Sequence, residues 1–222
     1  MMRRVLILPL WVVAAHAQAG GHFDVDDAGT LDPGRCQYEL WAGRFRDALT
    51  TVRHAGPACR VGPVELGFNI DDVSVDGLRT QSVGPQVKWT FFGQAPDAKL
   101  SAAVSASAIF DIPRRDGRTG GQFVVPVTWH ALDSLFVHAN IGADWVTTGV
   151  GQTIRKGIAG EWALNDAVSL IAERNRAYGL WTSRIGARFS LTPMVSIDVS
   201  ASRTGPDRGR GLLIGFNQEF GR

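Results

Sequence analysis

The chain has only two cysteines, two tyrosines and few lysines, and its formal charge of +2 over 222 residues is close to none. Each scarcity removes a class of function. Cys36 and Cys59 are far from a CxxC spacing, which excludes a dithiol redox motif. A near-balanced charge, with no polybasic stripe interleaved with aromatics, excludes a nucleic-acid binder. No GxSxG is present, so the sequence offers no nucleophile elbow. After the first residues there is no apolar run of the ~20 residues a transmembrane helix needs. What the chain has instead is glycine, large rings and alternation.

The N-terminus sets the compartment. Arg3 and Arg4 precede the apolar run Val5 to Ala15, and Ala17-Gln18-Ala19 supplies a small-x-small site. This is the pattern of a secretory signal peptide, so residues 1–19 are set apart from the fold, with cleavage after Ala19 and Ala17 as the neighbouring alternative. A short anchor helix is the competing reading, and the run is too short for it. No cysteine stands at the cleavage site, which argues against a lipoprotein. The remaining length fits one domain, or two at most.

Period-two alternation runs through most of the mature chain. Leu135, Val137, Ala139, Ile141, Ala143 and Trp145 alternate with His138, Asn140, Gly142 and Asp144. The same parity appears in Val64–Ile70, Val83–Phe91, Leu100–Phe110, Phe123–Trp129, Ile154–Leu164, Ile185–Phe189, Val195–Ala201 and Leu212–Phe220. Sustained alternation is a strand signal. It is weaker in Val168–Arg174 and weakest in Thr50–Cys59.

Ring placement separates two folds that share this pattern. Trp89, Trp129, Trp162, Phe189 and Phe220 fall near one end of the apolar face, and Phe110, Trp145 and Trp181 near the other. Two aromatic belts around an apolar band are what a membrane barrel requires. A soluble sandwich would turn the apolar face inward and has no use for rim-sorted rings. The opposite face, rich in Gly, Ser and Thr with scattered charges, suits a crowded wet lumen. The expected fold is all-β: a transmembrane antiparallel up-and-down barrel of about twelve strands over residues 36–222, preceded by a periplasmic segment over 20–35.

Turn lengths suggest the strand directions. Gly62-Pro63, Gly93–Ala98, Leu132–Ser134, Asn165-Asp166 and Thr192–Met194 read as short periplasmic turns. Asp71–Asp76, Pro113–Gly120, Val146–Gln152, Arg174–Gly179 and Thr204–Gly209 read as longer or more charged outer loops. Counting Gln37–Arg46 and Thr50–Cys59 as the first hairpin gives an even number, which lets the last strand close on the first. Cys36 and Cys59 then sit at the periplasmic base of that hairpin. In an exported chain they are expected to form a disulfide bracing the weakest strand pair, with two unpaired thiols as the alternative.

The inward parity predicts the lumen: Glu39, Glu65, Lys88, His130, His138, Asp144, Arg155, Glu161, Glu173, Arg184, Arg188, Asp198 and Glu219. If Leu191 pairs with Val195, Arg188 falls directly opposite Asp198. Such a network either braces and partly plugs the barrel or lines a narrow polar path. His130 and His138 are diagonal neighbours without a third ligand, so neither a metal site nor a cofactor is expected.

Residues Gly20–Arg35 do not alternate. Asp24, Asp26 and Asp27 there offer hard-cation oxygens but lack the spacing of a calcium loop. Capping of turns or pairing with lumen arginines is the favoured role, and the stretch is able to fold into the periplasmic mouth as a small plug. FDVDDAGTLDPGRCQYELWAGR resembles the start of the proteobacterial outer-membrane barrels associated with meta-pathway phenol degradation. The residues that carry the resemblance are Asp26, Asp27, Thr30, Pro33, Gly34, Gln37 and Glu39, about 25 residues of chain in all. It implies a small porin-like barrel, with small aromatic compounds as its solutes. Gly221-Arg222 after Phe220 depart from the usual aromatic terminus of such barrels.

Arg114, Arg115, Arg118, Arg174, Arg176, Arg203, Arg208 and Arg210 make the outer loops basic, diluted by Asp116 and Asp207. They serve either lipopolysaccharide phosphates and incoming anions or simple solubility, and the sequence does not choose. The expectation is a non-enzymatic outer-membrane barrel passing small solutes. Its partners would be outer-membrane lipid and lipopolysaccharide, the barrel-assembly machinery and a small-molecule solute. A plugged structural or adhesive barrel is the alternative and a lipid-modifying enzyme a distant third.

Overall fold

The computed structural model describes residues 22–46, 49–95, 97–112, 119–147, 151–206 and 209–221. The expected signal peptide, Arg114, Arg115, Arg118 and Arg208 lie outside them. Twelve strands succeed one another along the chain: β1 Arg35–Phe45, β2 Thr50–Val61, β3 Val64–Val75, β4 Leu78–Phe92, β5 Leu100–Ile112, β6 Thr119–Leu132, β7 Leu135–Val146, β8 Gln152–Asn165, β9 Val168–Ala177, β10 Leu180–Thr192, β11 Val195–Thr204 and β12 Gly209–Gly221. Each pairs antiparallel with its neighbour in sequence, and β1 pairs with β12 from Arg35↔Gly221 to Phe45↔Gly211, closing an up-and-down barrel. Among the described residues there is no helix. We call the end that carries Arg35 and Gly221 the base, and the opposite end the rim.

The polarity of the barrel is inverted relative to a soluble protein. Ile141, Ile185 and Leu212 are 64, 67 and 64 % exposed, whereas His138, Asp144 and Asp198 are fully buried. The alternating apolar residues therefore face outward and the polar ones inward, the arrangement a lipid-facing wall needs. The rings sort as the parity implies. Trp89, Trp129 and Trp162 are exposed toward the base end of their strands, and Phe110, Trp145 and Trp181 toward the rim. Phe189 lies on the base side of β10, and Phe220 stacks on Tyr38 across the closing seam at 4.9 Å.

The weak second strand has a physical reason. β2 pairs with β1 without a break from Thr50 to Cys59, but its ladder to β3 skips from Ala55↔Ile70 to Ala58↔Gly67. Pro57 sits in the gap. It has no N–H to donate, and proline depresses any strand signal in sequence. Cys36 and Cys59 are directly opposed in this hairpin and are disulfide-bonded.

Loop length is a poorer guide than parity. Asp71–Asp76 and Arg174–Gly179, expected as outer loops, are mostly strand: β3 reaches Val75 and β9 reaches Ala177. The connections shrink to Asp76-Gly77 and Tyr178-Gly179, with φ of 49° and 85° and of 49° and 83°. Two successive positive φ values make a type I′ turn, whose twist matches the strands it joins. The charge pair Asp71-Asp72 looks like a loop only in one dimension. Asp71 faces inward to His54 (2.7 Å), and Asp72 faces outward to Arg79. Conversely, the longest base connection, residues 93–99, exceeds several at the rim.

Candidate functional site: a stoppered lumen

The N-terminal segment from His22 to Gly34 runs inside the barrel. Among the described residues it forms no ladder with any strand. Its apolar side chains supply much of the buried hydrophobic interior: Phe23, Val25, Ala28 and Leu31 are at most 5 % exposed. Irregular backbone at membrane depth is tolerable only where protein satisfies it. Here lumen side chains do so, rung by rung.

Nearest the base, the Leu31 N–H donates to Glu65 (2.9 Å), and Arg60 donates to the Thr30 hydroxyl and the Leu31 carbonyl (2.6 and 2.8 Å). One step further in, the Thr90 hydroxyl donates to the Ala28 carbonyl (2.7 Å), while the Ala28 N–H donates to Thr128 (2.9 Å). Thr128 is held in turn by His138 Nδ1 at 2.9 Å. With its amide oriented to satisfy both groups, Asn140 donates to the Asp26 carbonyl at 2.9 Å and accepts the Asp26 N–H at 2.7 Å. Glu173 accepts the N–H groups of Asp24 and Val25 at 3.0–3.1 Å. Arg184 donates to the His22 carbonyl, and the His22 ring shares a hydrogen bond with Ser200 at 2.6 Å.

Charge pairs pin the same segment. Asp24 meets Arg184 at 2.9 Å and Asp27 meets Lys88 at 3.4 Å. Arg184 is also bonded to Glu173, its direct cross-strand partner, at 3.0 Å, so one guanidinium ties the wall to the segment. Burial, the largest single influence, would raise the Asp27 carboxyl, but Lys88, His138 and the Gly29 N–H together hold the group below its ordinary range. Burial, followed by the Arg184 guanidinium, pulls the His22 imidazole down to about 4.

Glycines make the room. A Cβ on Gly157 would stand 2.7 Å from Val25 Cγ2, and one on Gly215 would stand 2.8 Å from His22 Nδ1. The small inward residues are thus the footprint of the segment.

The rest of the predicted lumen set faces inward as well. Arg188 lies directly opposite Asp198 with Nε–Oδ1 at 2.8 Å and Nη2–Oδ2 at 3.2 Å, and Asn217 donates to the same carboxylate at 2.8 Å. The register arises differently from the expectation. Thr192 pairs with Val195, and a bulge at Leu191 restores the frame above it. Arg155 meets Asp144 at 2.7 Å, and Asp144 also accepts the Tyr178 N–H at 2.7 Å, drawing the β9–β10 turn to the wall. His138 stands 3.9 Å from Glu161. His130 packs edge-on against Phe136 and remains a diagonal neighbour of His138. Glu39 lies 4.0 Å from His54, whose ring stacks on Trp41. Glu219 sits inward beside the closing seam opposite Gln37. Sequence reasoning missed Arg60, Thr90, Thr128, Asn140 and Ser200. Nothing distinguishes them from other lumen residues until the segment is in place.

The fold has solved counterparts. The COG4313 outer membrane channel from Pseudomonas putida F1 superposes with a TM-score of 0.67 at 12% identity, covering 89% of this chain and 100% of that one. The KdgM porin superposes with a TM-score of 0.66 at 8% identity, covering 83% and 99%. Outer membrane phospholipase A from Escherichia coli matches at 0.54 with 9% identity, covering 85% and 94%. At such identities the likeness is one of fold, which porins and an enzyme share. No curated protein matches in sequence. A family model described as uncharacterised conserved protein UCP029691 matches residues 6–206, so the chain belongs to that family.

Proposed function

We propose that this protein is an outer-membrane channel for small solutes whose lumen is stoppered by its own N-terminal segment. The observation that carries the reading is the way residues 22–34 are held. Side-chain hydrogen bonds and two charge pairs fasten them to the wall, and no strand ladder is involved. Such a stopper is removable without opening the barrel. The apolar outer wall, the paired aromatic belts and the fold likeness support the outer membrane as its site, reached through export by residues 1–19 and insertion by the barrel-assembly machinery. The resemblance of the first strand makes small aromatic compounds the first solutes to test.

Lipid hydrolysis is the competing reading. It needs a nucleophile and a base facing the bilayer. The described histidines are His22, His54, His130 and His138, and all lie inside the barrel. That favours a non-enzymatic role.

The test is single-channel conductance of refolded protein in a planar bilayer, beside Asp24→Asn/Asp27→Asn. Removing both carboxylates leaves Arg184 and Lys88 without their partners in the segment; for the buried Asp27–Lys88 pair, loss of one side costs about 3–5 kcal/mol, and for the half-exposed Asp24 less. Rare or small steps in the wild type and frequent, larger steps in the variant are expected. Equal silence from both folded proteins would refute a channel.

A further inference from the structure

The outward face of β8–β12 carries a feature that a stoppered channel does not use. Lys156, Arg174, Arg203 and Arg210 point outward at the rim end of their strands and are exposed. Three positions lie in one cross-strand row with Ser183: Arg174↔Ser183, Ser183↔Arg203 and Arg203↔Arg210. Arg46 extends it, since its N–H bonds the Arg210 carbonyl at 3.0 Å. A step nearer the rim, Lys156 is directly opposite Arg176. Lys156 and Arg176 are thus a like-charge pair facing each other across the ladder, an arrangement that costs stability in isolation and that a shared anion relieves. Across the barrel the pattern differs: Asp72 engages both Arg79 and Arg53. Among the described residues, no carboxylate of β8–β12 faces outward.

Beneath this row the wall is hollow. A groove of about 1230 Å³ is lined by Gly160, Ala172, Ile185, Ala201 and Leu212, with Arg174, Arg203 and Arg210 at its upper edge. A Cβ placed on Gly160 would meet nothing within 4 Å. Toward the base it runs into a second hollow of about 930 Å³ past Trp162, Leu170 and Val199. Gly160 and Ala172 are direct cross-strand partners at the low point of this trough, Ile185 stands between Ala172 and Ala201, and Leu212 closes the row.

We infer that this face binds a phosphorylated, multiply acylated lipid of the outer leaflet, with its phosphates on the basic row and its chains in the trough. The chemistry fits at both ends. Guanidinium forks recognise phosphate oxygens bidentately, and apolar trough surface favours acyl chains. The cations form two foci. One is Lys156 and Arg174, both over the Trp181 ring at 5.6 and 4.7 Å, with Arg176 alongside. The other is Arg203, Arg210 and Arg46. From β9 to β12 the row spans three strand spacings, roughly 14 Å, which selects a headgroup with two anionic groups, as in bisphosphorylated lipid A. The inference rests on the outer-membrane reading above.

Native mass spectrometry of the refolded full chain in detergent would test it. The probes are bisphosphoryl lipid A, monophosphoryl lipid A, phosphatidylglycerol and inorganic phosphate. Bisphosphoryl lipid A is expected to be retained about tenfold better than the monophosphoryl form, the equivalent of one lost charge-assisted contact. Arg203→Ala/Arg210→Ala should erase that preference. Gly160→Leu should weaken retention with every arginine in place. Should the double alanine variant fail the heat-modifiable gel shift of a folded barrel, Arg203→Gln/Arg210→Gln carries the same expectation. Equal retention of all lipids, protection by inorganic phosphate alone, or a dimer that excludes lipid would each overturn the site. Failure to insert into bilayers at all would instead sink the outer-membrane reading, which conductance reports separately.

Discussion

His22 shows how a single side chain records the state of the stopper. Its ring sits against Ser200 and Phe23, with Arg184, Arg188, Asp198 and Asp24 as the charged groups around it. In the docked segment the imidazole titrates near 4, against an ordinary value of 6.5. Above the ordinary value both docked and released segments carry a neutral ring, and docking is at full strength. As pH falls from 6.5 toward about 4, only the released segment takes up the proton, so docking weakens and the loss saturates below the lower value. Asp27, held below its ordinary range beside Lys88, adds a loss of the same sign at still lower pH. Acidification through this window should therefore erode the His22 contribution to docking, read as the difference in open fraction between wild type and a His22 variant. His22→Gln should flatten the response above about pH 5, and an unchanged profile in that variant would place the sensor elsewhere.

At the scale of elements, strands and segment are fitted to each other through missing side chains. Gly157 on β8 faces Val25, and its added methyl would find Val25 Cγ2 at 2.7 Å and Asn175 Oδ1 at 3.0 Å. The nearest group belongs to the segment, so Gly157→Ala should be resolved by displacing the segment and not by opening the wall. Overpacking of this kind costs about 1–3 kcal/mol. More frequent channel openings with unchanged heat-modifiable mobility are expected, and closed, misfolded protein would show that the wall gives way first. Strand legibility obeys the same physics. β5, β7 and β11 alternate without interruption and are readable to within a few residues. β2 is faint because Pro57 breaks both the ladder and the pattern. Residues 71–76 and 174–179 look like outer loops and are mostly strand, because charge in one dimension does not say which side of a strand it faces.

For the whole molecule, the proposed stopper makes closure and stoppering separable. The continuous ladder from β1 round to β12 owes nothing to residues 22–34. Deleting residues 22–31 should leave the β-sheet circular dichroism and the gel shift intact while removing the resistance to ion flow. A deletion variant that no longer folds would mean that the segment is a core and not a stopper. The buried apolar side chains Phe23, Val25, Ala28 and Leu31 make this a genuine choice, since they fill space that water must otherwise occupy.

The sequence by itself determined the twelve-strand parity, the outward rings, the inward charges and the Cys36–Cys59 hairpin; it placed Arg188 opposite Asp198 through a Leu191–Val195 pairing that the structure replaces with a bulge at Leu191. All come from period-two alternation and register, which are local in the chain or in adjacent strands. Only the tertiary structure decided that Asp24 and Asp27 reach Arg184 and Lys88, and that Thr90, Thr128, Asn140 and Ser200 hold the segment. It alone also shows that Arg174, Arg203 and Arg210 share one row above a trough. Those meetings join residues as much as 178 positions apart. Their geometry is set by the curvature of a closed wall and by the path of a segment with no repeat of its own.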